Sequence, residues 1–375
     1  MTQAKESRDK EVVNKESRDK EVVKALDDFG ESILKNIEKN ESPKFKVPLR
    51  SLSNIHFDRA ANLLRLGDKV SSRNFINMAH SKKFMQSFLI GAKCKELVSR
   101  GKTASIRELY YQLKHAIANT KENTFEDQGE SDPLIVDLET SLKVLREELH
   151  LKADDKGTII GNIVIEDSGD LIDCSKLGRS GLSVPSIIEH YKFHKVKAEY
   201  VLVIETAAMF DRLVEEKFPQ DNNCIMVSTK GQAARGCRRL VHRINRELKI
   251  PIIMFTDGDP WGYYIYSVIK AGSMALAHES ERLGTPETRF IGMTMTDIEE
   301  YGLQKVTEKL KDVDKKRISE LLQYPWFQNK EWKKELQMMS ERGVRIEQQA
   351  LASKSLEFVA EEYLPEKIKK GKLLP

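Results

Sequence analysis

The sequence predicts an α/β protein in two parts: a winged-helix module of the helix-turn-helix type, then a parallel sheet with helices on its faces. Three observations predict it. From about Tyr200 onward, four short apolar runs, "YVLVIE", "NCIMVST", "IPIIMFTD" and "TRFIGMT", alternate with amphipathic helical stretches. Such alternation implies parallel strands joined by crossover helices. Upstream, between Asn74 and Asp167, the order is helix, turn, helix, helix and strand pair, which is the order of a winged helix, a DNA-binding module. Finally, Glu205, Asp257 and Asp259 fall where apolar strands end, and functional groups gather beyond the carboxyl ends of strands in such sheets.

The 375 residues suggest two or three domains. The segments expected are 1–69, a tail, helix and connector; 70–166, the winged helix; and 167–375, the sheet domain with C-terminal helices. Hydrophobic residues make up 40% and charged residues 32%, a balance expected of a soluble globular protein. No apolar run approaches the roughly 20 residues of a membrane span, and the N-terminus is too charged for a signal peptide. A net charge of +4 permits nucleic acid without demanding it. The four cysteines form no C-x-x-C pair, so a zinc ribbon is not expected, and scattered thiols fit a reducing cytoplasm. His190 and His194 stand at i, i+4 with no obvious third ligand in sequence.

Residues 5–24 repeat one segment, "KESRDKEVVN" then "KESRDKEVVK". Two copies cannot build a solenoid, and the segment is expected to be a frayed or partly helical tail. A short amphipathic helix follows around Leu26–Ile37, then the extended connector "SPKFKVPLRSLSN". Next comes a helical block punctuated by Gly101. A polar loop ends at Pro133, and another helix is expected through "LIVDLETSLKVLREELHL". "GTIIGNIVIED" has the pattern of a hairpin.

Two clusters carry chemistry. Parallel strands ending in Glu205 and in Asp257-Gly258-Asp259 would bring three carboxylates to one edge. Hard divalent cations such as Mg²⁺ take such oxygen ligands, and Gly258 is expected to permit a tight turn between the aspartates. The alternative for Asp259 is an N-cap for the helix that begins at Pro260. The second cluster is "SIRELYYQLKHAI". Ser105 and Glu108 have capping-box spacing, and Ile106, Leu109, Tyr110, Leu113 and Ile117 form an apolar stripe. Tyr111 is rotated about 100° off that stripe and shares a face with Arg107, Lys114 and His115. Nearby cations favour phenolate over a phenol whose free pKa is about 10, which suits a nucleophile. The alternative is an ordinary surface tyrosine. Lys230, in the loop after the second strand, can reach a phosphate. Arg235, Arg238, Arg239 and Arg243 fit a solvated helix face. Lys176 and Arg179 lie in a loop rich in Gly and Ser. There is no G-x-x-x-x-G-K-[ST], hence no P-loop in this chain.

An acidic residue after one strand and Asp-x-Asp after a later one resemble the Toprim domain of topoisomerases, some primases and some nucleases. "RELYY" upstream, followed in order by "VLVIET", "STKG" and "TDGDPWG", narrows the resemblance to the topoisomerase VI A-subunit family, which is also similar to the eukaryotic protein that makes meiotic double-strand breaks. It runs from about residue 70 to the C-terminus. The resemblance implies a Toprim domain of Rossmann-like type, Tyr111 as nucleophile with Arg107 beside it, and Glu205, Asp257 and Asp259 as Mg²⁺ ligands. Glu205 also has an implied catalytic role. DNA contacts are expected from Lys230, Lys114 and Arg179. The implied assembly is a homodimer in which the tyrosine of one protomer meets the acids of the other. An ATPase B subunit completes an A2B2 heterotetramer on double-stranded DNA, with ATP bound by the partner. A cytoplasmic, nucleoid-associated location follows. The alternatives are a Toprim primase or nuclease, which needs no nucleophilic tyrosine, and a non-catalytic DNA-binding scaffold, indifferent to loss of the acids.

Overall fold

The computed structural model describes residues 2–375, with side chains from residue 16 onward. The chain divides into two compact units, Met1–Asn54 with Leu66–Asp154, and Ile55–Arg65 with Asp155–Pro375.

The first unit is built on helices. One helix runs over Thr2–Glu38. The duplicated segment is therefore part of a continuous helix, not a frayed tail; the side chains of its first copy lie outside the described residues. The second copy packs: Val22 is fully buried, and Arg18 grips Glu148 at 2.8 and 3.1 Å. Further along the same helix Leu26 and Ile33 are buried. Burying one such aliphatic side chain stabilises by about 1.5–3 kcal/mol, enough to hold an otherwise polar helix in place. The proline-containing connector becomes the strand Lys44–Pro48, antiparallel to Val70–Asn74. The helix Met78–Ser99 starts at Asn77, whose side chain accepts from Ala79 N. The helix Ile106–Leu113 follows across the turn at Gly101. The next helix spans only Ser131–Leu142, because Lys143 adopts a left-handed conformation and ends it. Ile90, Cys94, Leu109, Tyr110, Phe125 and Leu138 belong to the core of this unit. The buried carboxylate Asp137 pairs with Arg50 at 2.7 Å and with Arg73.

The second unit carries a six-stranded sheet in the order Leu182–Ser183, Thr158–Gly161, Cys224–Ser228, Tyr200–Ile204, Ile252–Phe255 and Arg289–Gly292. The last four are mutually parallel. Thr158–Gly161 runs antiparallel to Cys224–Ser228, and Leu182–Ser183 antiparallel to Thr158–Gly161 in turn, so the sheet is mixed. The hairpin expected at "GTIIGNIVIED" does not form. Thr158–Gly161 pairs with Cys224–Ser228, whereas Val164–Asp167 enters a separate three-stranded sheet with Asp170–Asp173 and Lys192–His194. Gly161 is required for close approach rather than for a hairpin turn: a Cβ there would lie 2.3 Å from the Cys224 carbonyl oxygen. His190 and His194 do find carboxylates in this small sheet, Asp167 at 3.2 Å and Glu166 at 2.8 Å.

The parallel strands are buried on both faces, which explains their unbroken apolar runs. The C-terminal region completes the core. Trp332 is fully buried among Tyr263, Tyr266, Phe290 and Phe327. Leu374 exchanges main-chain hydrogen bonds with Phe290, closing the edge of the sheet. Lys367 and Tyr363, both buried, bind Asp297 at 2.6–2.8 Å and tie the last helix beneath the strand Arg289–Gly292. All four cysteines are free and buried. No helix among the described residues is long and apolar enough to cross a membrane.

Candidate active site

Neighbouring parallel strands deliver the acids. Ile204 and Phe255 are in register, so Glu205 and the segment Thr256–Asp259 leave the sheet side by side. Glu205 Oε2 accepts the main-chain N–H of Asp257 at 3.2 Å, and the main-chain N–H of Glu205 donates to the Phe255 carbonyl at 3.1 Å. Asp257 Oδ1 accepts from Gln348 N at 2.8 Å. Asp259 Oδ1 accepts from Gly262 N at 2.6 Å, so this residue does cap the helix Pro260–Ala271. Its second oxygen, Oδ2, lies 3.8 Å from Arg345 Nη1. The cap uses Oδ1 alone and leaves Oδ2 outside it. Gly258 serves close packing: a Cβ there would meet Ile346 Cγ2 at 2.7 Å and the Met293 carbonyl oxygen at 2.9 Å.

The electrostatics are those of a site short of positive charge. Burial, then the neighbouring Asp257 charge, pushes the Glu205 carboxyl up to about 8. Burial pushes Asp257 up to about 6, with Asp259 and Glu347 adding repulsion and the Gln348 N–H and Arg345 opposing it. Burial also raises Asp259. An all-oxygen donor set with excess negative charge in a desolvated edge fits a hard divalent cation. Among the described residues no three histidine, cysteine, aspartate or glutamate side chains are grouped so that together they could hold a metal ion. Mg²⁺ usually takes one or two carboxylates, with waters and substrate phosphate completing its shell.

In the first unit, the Tyr111 helix starts at a complete capping box: Glu108 N donates to Ser105 Oγ at 3.1 Å, and Ser105 N donates to Glu108 Oε2 at 2.6 Å. Helical spacing then separates the two tyrosines. Tyr110 is 8% exposed and Tyr111 61%. The Tyr110 hydroxyl donates to the Glu126 carbonyl at 2.9 Å and accepts from Lys114 Nζ at 2.9 Å. Arg107, exposed, stands one turn before Tyr111 on the same helix. The helix ends at Leu113, so the face expected to include Lys114 and His115 is not continued. The Lys114 ammonium serves Tyr110 instead.

Lys230 is exposed in a left-handed conformation, φ 53°. Its loop is tied to the acidic edge by Gly231 N donating to the Glu205 carbonyl at 2.8 Å. Arg179 is exposed in a separate loop between two left-handed glycines, Gly178 and Gly181, and Lys176 pairs with Asp173 at 3.3 Å. The arginines of the helix Arg235–Leu248 are not a solvated face. Arg238 and Arg243 are buried, Arg243 donates to the Ile188 and Tyr191 carbonyls, Arg235 pairs with Glu279 and Arg239 with Glu189. Sequence reasoning missed Arg345 and Gln348, which complete the acidic edge from the C-terminal region. No motif marks "VRIEQ"; only the isolated bridge between Ile346 and Gly258 brings it there.

Three family models match the chain in order. The first is "Type IIB DNA topoisomerase", over residues 82–151. The second is "All-beta domain in DNA topoisomerase VI alpha subunit", over 154–197. The third describes the Toprim domain of Spo11 and of the topoisomerase 6 A subunit, over 200–368. This last match makes the four parallel strands with their acidic edge part of a Toprim domain. Among curated proteins, the A subunit of type 2 DNA topoisomerase 6 from Pyrococcus abyssi is 56% identical over 363 residues, covering 94% of this chain and 95% of that protein. The proteins of the same name from Hyperthermus butylicus and Methanothermobacter thermautotrophicus are 41% and 40% identical, covering 93% and 92% of this chain and 95% and 96% of those proteins. The chain belongs to the topoisomerase VI A-subunit family.

Proposed function

We propose that this chain is the DNA-cleaving and rejoining subunit of an ATP-dependent type IIB topoisomerase, making transient double-strand breaks to relax and decatenate DNA. The observation that carries the reading is the closeness of Glu205, Asp257 and Asp259 at one edge of the sheet, in a chain that also presents an exposed tyrosine on a capped helix.

Tyr111 Oη attacks a backbone phosphorus in line. The new bond joins Tyr111 to the DNA 5′ phosphate, the P–O3′ bond breaks, and a 3′ hydroxyl leaves. Arg107, one turn away, supplies positive charge to the phosphate oxygens. Glu205 accepts or returns the proton exchanged between the tyrosine and the leaving oxygen. Mg²⁺ held by Glu205, Asp257 and Asp259 would stabilise charge on the phosphate and leaving oxygen. The phosphotyrosyl bond conserves the phosphodiester's energy, so attack by the 3′ hydroxyl reseals the strand without ATP.

The helices Met78–Ser99, Ile106–Leu113 and Ser131–Leu142, with the short ladder between Ala104–Ser105 and Leu151–Lys152, support a winged-helix reading of the first unit. Lys230 and Arg179 are exposed cations suited to phosphate, whereas Lys114 does so only by leaving Tyr110. A homodimer, with each acidic edge receiving the partner's tyrosine, cuts two strands. ATP acts on a separate B subunit in an A2B2 assembly in the DNA-containing compartment. The test is ATP-dependent relaxation of supercoiled plasmid. The chain with its B subunit should relax it, and the chain alone should not. Robust relaxation by the purified chain alone overturns the two-subunit reading.

A further inference from the structure

Arg345 stands close against the acidic edge and is fixed from several directions. Its Nη1 lies 3.8 Å from Asp259 Oδ2 and 3.9 Å from Asp314 Oδ2. Its Nη2 and Nε bind Glu308 Oε2 at 2.7 and 3.2 Å. The backbone holds it there: Arg345 pairs with Glu308 in a two-stranded ladder, and the next residue, Ile346, exchanges main-chain hydrogen bonds with Gly258 at 2.8 and 3.1 Å. Asp314 is immobilised in turn, accepting from Trp261 Nε1 at 3.1 Å and from Lys311 N at 2.9 Å. The guanidinium cannot swing away without breaking its grip on Glu308. It also stands too far from Asp259 for a hydrogen bond, so it acts on that carboxylate through charge.

We propose that Arg345 is a built-in counter-ion of the acidic edge that competes electrostatically with the divalent cation for Asp259. It stabilises the metal-free site and sets Mg²⁺ affinity lower than the three carboxylates alone would give. This rests on the reading of Glu205, Asp257 and Asp259 as the Mg²⁺ site. Two like-signed cations share one group of acids, and only one of them is tethered. The arrangement lets Mg²⁺ exchange while the carboxylates remain compensated in its absence. Arg345 is thus a positioning residue, acting on the site through Asp259.

The test is calorimetric titration of the full-length chain with MgCl₂, for wild type, Arg345→Gln, Arg345→Lys and Asp257→Ala, with thermal unfolding in chelator. Removing one fixed positive charge a few ångströms from a divalent ion should tighten Mg²⁺ binding by about tenfold. Arg345→Gln should therefore bind Mg²⁺ more tightly and unfold at lower temperature without metal. Arg345→Lys keeps the charge but loses the two-point grip on Glu308, and should bind Mg²⁺ close to wild type. If Asp257→Ala loses Mg²⁺ binding while Arg345→Gln binds no more tightly than wild type, the counter-ion proposal is overturned and the metal site stands. If Asp257→Ala binds Mg²⁺ as wild type does, the metal-site reading itself falls, and the proposal with it. Should Arg345→Gln prove misfolded, tightening in Arg345→Lys to the level expected of a neutral residue overturns the charge argument just as directly.

Discussion

Glu205 Oε2 accepts the main-chain N–H of Asp257 at 3.2 Å, across two neighbouring parallel strands. This bond keeps the two acids together although burial and the Asp257 charge raise the cost of ionising Glu205, and burial and the Asp259 charge raise that of Asp257. A fold rarely maintains such repulsion without a cation to relieve it.

That repulsion gives the metal-free protein a distinctive pH dependence. Glu205 is raised to about 8 and Asp257 to about 6, both above their unfolded values. Between the ordinary carboxylate range and about pH 8, the native state therefore binds more protons than the unfolded state, and stability falls as pH rises. The contribution is fully present below the unfolded pKa values and is lost through the folded ones. Urea denaturation in chelator should show this decline, Glu205→Gln should flatten its upper part, and saturating Mg²⁺ should reduce it. A wild-type stability that rises from pH 5 to 8 in chelator contradicts the assignment.

Asp259 has two tasks that substitution can separate. Asp259→Asn keeps an N-cap acceptor and removes charge, so its metal-free melting temperature should equal or exceed that of wild type. Asp259→Ala also loses the bond from Gly262 N, at a cost of about 0.5–2 kcal/mol, and should melt below Asp259→Asn. Both should lower Mg²⁺-dependent cleavage by about two orders of magnitude or more. Normal cleavage by both across a Mg²⁺ titration removes Asp259 from the metal site.

Tyr110 should respond as a structural residue. Tyr110→Phe deletes a hydroxyl that bonds the Glu126 carbonyl and Lys114. The expected loss is about 1–2 kcal/mol of stability, with cleavage retained once the protein is folded. Thermal unfolding alongside a cleavage assay separates the two readouts, and loss of cleavage at unchanged stability would reverse the roles given to the two tyrosines.

The parts legible in the sequence were those governed by local geometry. A rotation of about 100° per residue separates Tyr110 from Tyr111, and the four apolar runs did become parallel strands with Glu205 and Asp257 at their ends. The parts that were not legible depend on distant pairing. Thr158–Gly161 has a hairpin-like pattern, but its partner strand begins at Cys224, and only the tight contact at Gly161 records this. The arginines of the helix Arg235–Leu248 have the spacing of an exposed face, yet Arg243 is buried on carbonyls of the Ile188–Tyr191 segment. Arg345 and Gln348 reach the acids from a stretch without any motif. The polar duplicated segment, for its part, gave no local sign of the partners that bury Val22.

The central claim, that Tyr111 becomes joined to DNA, is tested most directly by trapping the adduct. The chain, assembled with its B subunit, is incubated with Mg²⁺, a non-hydrolysable ATP analogue and end-labelled duplex DNA, then denatured and digested with protease. The expected result is a denaturant-resistant protein–DNA adduct on 5′ ends, mapped by mass spectrometry to the peptide containing Tyr111 and absent from Tyr111→Phe, which still folds and binds DNA. An adduct on any other residue, or undiminished cleavage by Tyr111→Phe, would contradict it.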